Sequence, residues 1–381
     1  MSNTTLKNLL TEYENKRMRA IKLAEQRKKE LYIQNPKLQE IDDKLNALAI
    51  STAKSLINKN DSELLKNLEK NINILKKEKT LILNSIGKDE SYILPNYECK
   101  LCNDTGYVMQ NSHSIMCSCL KQKIFDLEYN KSNIYNIKNQ NFNNFNDLFY
   151  SNVVDEKKYK SDISPRENIK LIKDICFKFI NNFENPEEKN LLFTGNTGLG
   201  KTFISSCIAN ELIKKNKTVL YQTAPVMLDT IIDYRFGKNT NSNILENILN
   251  VDLLIIDDLG TECVNNMKFT ELFNIINTRL LNQKNITKTI ISTNLSLQNL
   301  YNTYDERIVS RIVGNYNICY FFGDDIRFKK ICEWSQIFYY IKAFFLSFII
   351  FKLLIFIWGS TFLGSISIQY WNKFSIHMNS F

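Results

Sequence analysis

Gly195 to Thr202 reads GNTGLGKT and follows the apolar run Leu191, Leu192, Phe193. This is the phosphate-binding pattern GxxxxGK[ST], set between a short buried strand and a helix-compatible run, Phe203 to Lys214. Glycines at 195, 198 and 200 admit backbone angles closed to other residues. Successive N–H groups along Asn196, Thr197, Gly198, Leu199 and Gly200 can therefore turn inward on a polyphosphate. Lys201 is placed to reach the β- and γ-phosphates, and the Thr202 hydroxyl to ligate Mg²⁺. A glycine-rich turn that matches by chance is the plain alternative, and a second motif weighs against it.

That motif is Val251 to Gly260, VDLLIIDDLG. Leu253 to Ile256 are apolar without alternation, as expected of a parallel strand covered on both faces. Asp257 and Asp258 follow at the strand's C-terminal end, where open α/β sheets place their ligands. Asp257 is read as the carboxylate that holds Mg²⁺ through water, and Asp258 as the one that polarises an attacking water. Alone, a pair of acids after an apolar run would merely suggest a cap or turn.

Positioning these groups requires alternating strands and helices. After the loop helix come a strand over Thr218–Gln222, a helix from Pro225 to Phe236, a helix over Ile244–Leu249 and the acidic strand. A helix from Lys268 to Asn282 and a strand over Thr289–Thr293 follow, the strand ending at Asn294. This alternation predicts right-handed crossovers and a parallel sheet. Asn294 stands at the end of its strand, placed to orient water near a γ-phosphate, although a turn residue would look the same. Asp305 to Gly314, DERIVSRIVG, predicts a helix with Arg307 and Arg311 on one face. Beyond a strand at Asn317–Phe322, the run GDDIR carries Arg327. Upstream, Ser164 and Pro165 open a helix as N-cap and first helical residue, continued by Ile169, Ile172, Ile175, Phe179 and Ile180.

Cys99, Cys102, Cys117 and Cys119 read CxxC and CxC with fourteen residues between the pairs. Two short loops presenting thiolates in pairs suit tetrahedral Zn²⁺, and four ligands without a vacancy imply a structural ion; His113, within the loop, is a reserve ligand. Buried free thiols or a redox pair are the alternatives. From Leu6 to Leu83 there is no glycine and only Pro36, with Leu and Ile at helical spacings among Lys, Glu and Arg. Two or three long helices result, broken near Pro36 and around Asn58–Ser62. Their apolar stripe must be covered by the helices themselves or by a partner. From Phe125 to Ser164 the chain is Asn-rich and predicts no regular structure, only a linker whose aromatics Phe142, Phe145, Phe149 and Tyr150 dock on the next domain.

A net charge of +9 is a mild basic excess, compatible with nucleic acid without pointing to it. Nine cysteines, four of them clustered, and an N-terminus without an apolar leader fit a reducing cytoplasm better than a disulfide framework. Ala343 to Ile366 is 24 residues with one charge, Lys352, long enough to span a bilayer. The competing and preferred reading is out-of-frame or read-through sequence, since the tail lacks amphipathic period and acidic residues after Glu333.

Taken in order, GNTGLGKT, LLIIDDLGTE, STNLS, ERIVSRIVG and FFGDDIR resemble the AAA+ ATPase of bacterial replicative-helicase loaders of the DnaC/DnaI type, over about residues 160 to 330. The helical arm and the cysteine knuckle are similar to the N-terminal helicase-binding part of the DnaI-like branch. The resemblance implies an α/β fold: an AAA+ P-loop parallel sheet flanked by helices and preceded by a helical arm and a small zinc knuckle. It divides the chain into a partner-binding arm (1–90), knuckle (91–125), linker (126–163), ATPase (164–330) and apolar tail (331–381). It further implies ATP, Mg²⁺ and structural Zn²⁺. Lys201 and Thr202 fall in Walker A, Asp257 and Asp258 in Walker B; Asn294 becomes sensor 1, Arg311 the arginine finger and Arg327 sensor 2. Asp258 stands where many AAA+ proteins have Glu, which implies slow, switch-like hydrolysis. The implied partners are the replicative helicase, single-stranded DNA and further copies of this chain, with a membrane only if the tail is genuine. A transposition helper ATPase and a nucleotide-gated adaptor with negligible turnover are the rival readings.

Overall fold

The computed structural model describes residues 3–57, 62–130, 139–238, 243–263, 265–282 and 285–328. The apolar segment 343–366 lies outside them; among the described residues no helix is long and apolar enough to cross a membrane. Two compact units are formed. The first takes in Met1–Tyr135, Glu211–Gln222 and Thr230–Leu254, the second Asn136–Asn210, Thr223–Asp229 and the chain from Ile255 on.

The glycine-free N-terminal stretch folds into three helices, α1 (Asn3–Gln34), α2 (Pro36–Ile57) and α3 (Ser62–Ser85). Pro36 opens α2, where its missing N–H removes no helical hydrogen bond. Leu31, Leu38 and Leu83, one from each helix, are at most 5% exposed and form the arm's core. Each contributes about 2 kcal/mol of burial. Across the three helices runs one polar pin: the buried Asp42 carboxylate accepts from Lys79 Nζ at 2.6 Å and Tyr32 Oη at 2.5 Å, with Lys28 Nζ at 3.0 Å. Burial alone would raise this carboxyl, but the hydrogen bonds from Lys79, Tyr32 and Lys28 outweigh it and hold it below the ordinary carboxylate range. A depressed folded pKa gives stability that is present above the unfolded value and lost as pH falls through the folded one. Asp42→Asn is therefore expected to cost about 2 kcal/mol at pH 7. Thermal melts at pH 7 and pH 3 check this, since the gap to wild type must close in acid.

The cysteine region forms an antiparallel hairpin, β1 (Tyr107–Gln110) and β2 (His113–Met116), followed by α4 (Ser118–Glu128). Leu9 and Tyr13 of α1 pack with Leu120 of α4 into one cluster, which holds the first half of α1 against the hairpin. Contrary to the expectation of irregular chain from Phe125 to Ser164, α4 continues to Glu128 and short helical turns occupy Phe142–Asn144, Asp147–Phe149 and α5 (Glu156–Tyr159). Asn and Asp caused both the expectation and its failure: Asn141, Asn146 and Asp155 each cap the turn that follows. The aromatics of this stretch do dock, Phe142 on Phe177 and Phe145 on Phe203.

Then come α6 (Pro165–Asn181), β3 (Asn190–Gly195), α7 (Lys201–Lys214), β4 (Val219–Thr223), α8 (Ala224–Arg235) and α9 (Ile244–Asn250). β5 (Leu253–Leu259), α10 (Asn266–Leu280), β6 (Lys288–Thr293), α11 (Leu297–Thr303), α12 (Glu306–Asn315) and β7 (Tyr316–Phe321) complete the order. α6 opens with a full capping box, Ser164 and Glu167 each accepting from the other's backbone. The strands form one five-stranded sheet in the order β4-β5-β6-β3-β7, and β3 pairs in parallel with both β6 and β7. Leu191, Leu192, Phe193 and Leu253 to Ile256 are fully buried, the reason these strands read as unbroken apolar runs. From β3 the chain travels outward to β4, returns through β5 and β6, and crosses β3 to reach β7. The carboxyl ends of β3, β5 and β6 thus meet at the point where the strand order reverses, the usual ligand crevice of such sheets.

At the outer edge of β4 the side-chain amides of α4 and its end replace a neighbouring strand. Gln122 accepts from Val219 N at 2.6 Å and donates to Val219 O at 3.1 Å. Asn130 donates to Val219 O at 3.1 Å and accepts from Tyr221 N at 2.8 Å.

Candidate functional site

The loop between β3 and α7 curls through glycine conformations. Gly195 has φ 142°, and a Cβ there would stand 2.1 Å from the Phe321 carbonyl oxygen of β7; Gly198 has φ 74°. Backbone of this shape turns N–H groups inward, the donor set a polyphosphate requires, so the residues present fit a nucleoside triphosphate. Lys201, 5% exposed, donates from Nζ to Gly195 O at 2.6 Å, Asn196 O at 2.8 Å and Asn294 Oδ1 at 2.7 Å. Burial pushes its ammonium down to about 8, against the pull of Asp258 and Asp257, and Arg327 lowers it further. A buried cation between two carboxylates and a bowl of amides is poised to neutralise an incoming anion.

Asp257, 3% exposed, lies at the C-terminal end of β5 and accepts a hydrogen bond from Ser292 Oγ of β6. A buried carboxylate of this kind fits a Mg²⁺ ligand. Asp258 adopts φ 55°, a left-handed conformation rare for a residue with a side chain. Its N–H donates to Asp257 Oδ1 and to Ser292 Oγ, both at 3.2 Å. Burial, then the charge of Asp257, raise the Asp258 carboxyl, with Lys201 opposing. A raised carboxyl is a better proton acceptor.

The structure therefore brings Lys201, Asp257, Asp258 and Asn294 together, with Arg327 near enough for its charge to be felt at Lys201. It keeps Arg311 apart. Arg311 Nε donates to Asn277 Oδ1 of α10 at 3.0 Å, and Arg307, paired with Asp305, lies over the Phe273 ring, so both arginines of α12 lie along α10. Sequence reasoning passed over two residues of the site. Ser292 was detectable, since it lies near the carboxyl end of β6, two residues before Asn294. Tyr150 was expected only as an aromatic docking on this domain; that its hydroxyl donates to the Leu199 carbonyl at 2.8 Å had no local signal.

In the first unit the four thiols converge. Cys99 and Cys117 sulfurs are 3.8 Å apart, those of Cys102 and Cys119 3.6 Å, and all four lie within 4.8 Å of one another. Ligands about 2.3 Å from a tetrahedral ion lie about 3.8 Å apart, so the cluster fits Zn²⁺ without His113. The knuckle is braced by its own turn: buried Asp104 accepts from Cys99 N at 2.8 Å and Glu98 N at 3.0 Å.

A parallel sheet with a glycine loop, a buried lysine and two acids at its switch point defines a P-loop nucleotide-binding domain. Residues 138–330 match the family model described as "IstB-like ATP binding protein", and the chain belongs to that family. It is 31% identical over 157 residues to the replicative helicase loader DnaC of Buchnera aphidicola subsp. Baizongia pistaciae, covering 40% of this chain and 62% of that protein. To the replicative helicase loader DnaC of Escherichia coli (strain K12) it is 27% identical over 128 residues, 33% of this chain and 51% of that one. The chain thus spans about half to three-fifths of the length of these curated relatives. Among solved structures it is similar to "Crystal Structure of the DnaI", with TM-score 0.36 and 25% identity over 45% of this chain and 90% of the other.

Proposed function

We propose that this protein is an ATP-dependent loader that binds a replicative DNA helicase and delivers it to single-stranded DNA. The observation that carries the reading is the Lys201, Asn294, Asp257 and Asp258 cluster, within a family module whose curated relatives are named helicase loaders. When bound, ATP with Mg²⁺ supplies a transferable phosphoryl group, and Zn²⁺ a structural tie for the knuckle. Lys201 and the loop amides would hold negative charge, and Thr202 and Asp257 would hold the metal. Asp258 accepts a proton from water that Asn294 orients. Arg311 leaves Asn277 to enter the site of a neighbouring copy, and the helical arm and knuckle grip the helicase. Hydrolysis to ADP then releases the partner.

A pull-down of the full chain with the replicative helicase of the same cell, in ATP and in ADP, tests this. Retention in ATP, weakened by Lys201→Ala, is the expected result. No retention in either nucleotide would remove the loader reading in favour of a transposition helper.

A further inference from the structure

Arg327 does not face the phosphate loop uncommitted. Its Nε lies 3.0 and 3.1 Å from the two carboxylate oxygens of Asp325, and Nη2 2.6 Å from Oδ2; its backbone N–H donates to Oδ1 at 2.9 Å. The carboxylate of that fork in turn lies against the loop itself. A Cβ on Gly198 would come within 2.0 Å of Asp325 Cγ, and the next residue, Ile326, donates its N–H to the Gly198 carbonyl at 3.0 Å. The segment after β7 is thus pinned across the loop with an acid at its point of contact. Lys158 holds the preceding Asp324 at 2.6 Å, which fixes the segment from its other side.

A loop built to receive a polyanion through amides and a lysine gains nothing in affinity from a carboxylate at its rim. The two negative charges repel, and the arginine best able to meet a terminal phosphate is already satisfied bidentately. We propose that Asp325 is a positioning residue that competes with the terminal phosphate of a nucleoside triphosphate for Arg327, and so sets how far the site prefers ATP to ADP. A triphosphate must draw Arg327 out of the fork, whereas a diphosphate, too short to reach it, leaves the fork closed. Asp325 acts as a throttle on the ATP-bound state. The inference rests on the reading of the Lys201 loop as the nucleotide site.

The test is equilibrium binding of fluorescent ATP and ADP analogues to the full chain and to five variants: Lys201→Ala, Asp325→Asn, Asp325→Ser, Arg327→Ala and the Asp325→Asn/Arg327→Ala double variant. Asn keeps the oxygen that accepts from the Arg327 N–H and removes only the charge; Asp325→Ser is a second variant with the same purpose. Asp325→Asn is expected to tighten ATP about tenfold and ADP about twofold or less, and the change in ratio should vanish in the Arg327→Ala background. A general loosening of the loop would move both nucleotides together and leave the ratio alone. Binding sensitive to Lys201→Ala with an unchanged ATP/ADP ratio, or a ratio that changes equally without Arg327, would overturn the proposal alone. Absent binding, or binding indifferent to Lys201→Ala, would overturn the nucleotide-site reading together with it.

Discussion

Asp257→Asn is expected to slow phosphate release by on the order of 10² to 10³ while leaving nucleotide binding within a few-fold of wild type. The side chain is buried and receives the Ser292 hydroxyl, so Asn fits the space. What goes is the negative charge that would hold Mg²⁺ against the transferring group. Loss of one preorganised electrostatic contact of this kind costs on the order of 10² to 10³ in rate. Single-turnover phosphate release, with binding measured on the same samples, checks it. Asp258→Asn should also slow release, by a smaller factor, because it removes a proton acceptor whose carboxyl burial has raised. If neither variant changes release from the wild-type level, the site is a nucleotide-gated adaptor and hydrolysis is no part of its action.

The second large effect is expected at the knuckle. Cys117 is 2% exposed, its sulfur faces Cys99, its N–H donates to Gly106 O at 2.9 Å, and it forms the N-cap of α4. Cys117→Ser should reduce bound zinc from about one per chain to a small fraction and loosen the β1–β2 hairpin with the first turn of α4. Metal analysis and hydrogen exchange of residues 99–122 are the measurements. Wild-type protein that carries no zinc, or a variant that keeps it with unchanged exchange, would leave the cluster as buried thiols.

Much of the fold was legible because its signals are local. The loop glycines, the apolar runs of β3 and β5 and the proline that opens α2 each declare themselves within a few residues of sequence. The positions of Lys201, Asp257, Asp258 and Asn294 were readable for a related reason: each sits at or just past the end of a strand or at the start of a helix, where sequence order fixes position. Tyr150 and Asp325 were not readable as neighbours of the phosphate loop. Their contacts with Leu199 and Gly198 join segments far apart in the chain, and nothing in a local window announces such pairings. The turns of the Asn-rich stretch were missed for another reason. Asn caps short helices as readily as it populates loops, and composition does not separate the two.

The amides on the rim of β4 have a consequence for the protein's fate in a crowded cell. A bare strand at the border of a sheet is a template onto which another chain can crystallise strand by strand, and α/β domains that expose one are prone to polymerise. Here Gln122 and Asn130 occupy the outward backbone groups of Val219 and the outward N–H of Tyr221, and both are at most 5% exposed themselves. The chain carries its own stopper on this border. Copies that meet at this border must then do so through side-chain surfaces, which can be reversed, rather than by adding a strand to β4, which seldom is.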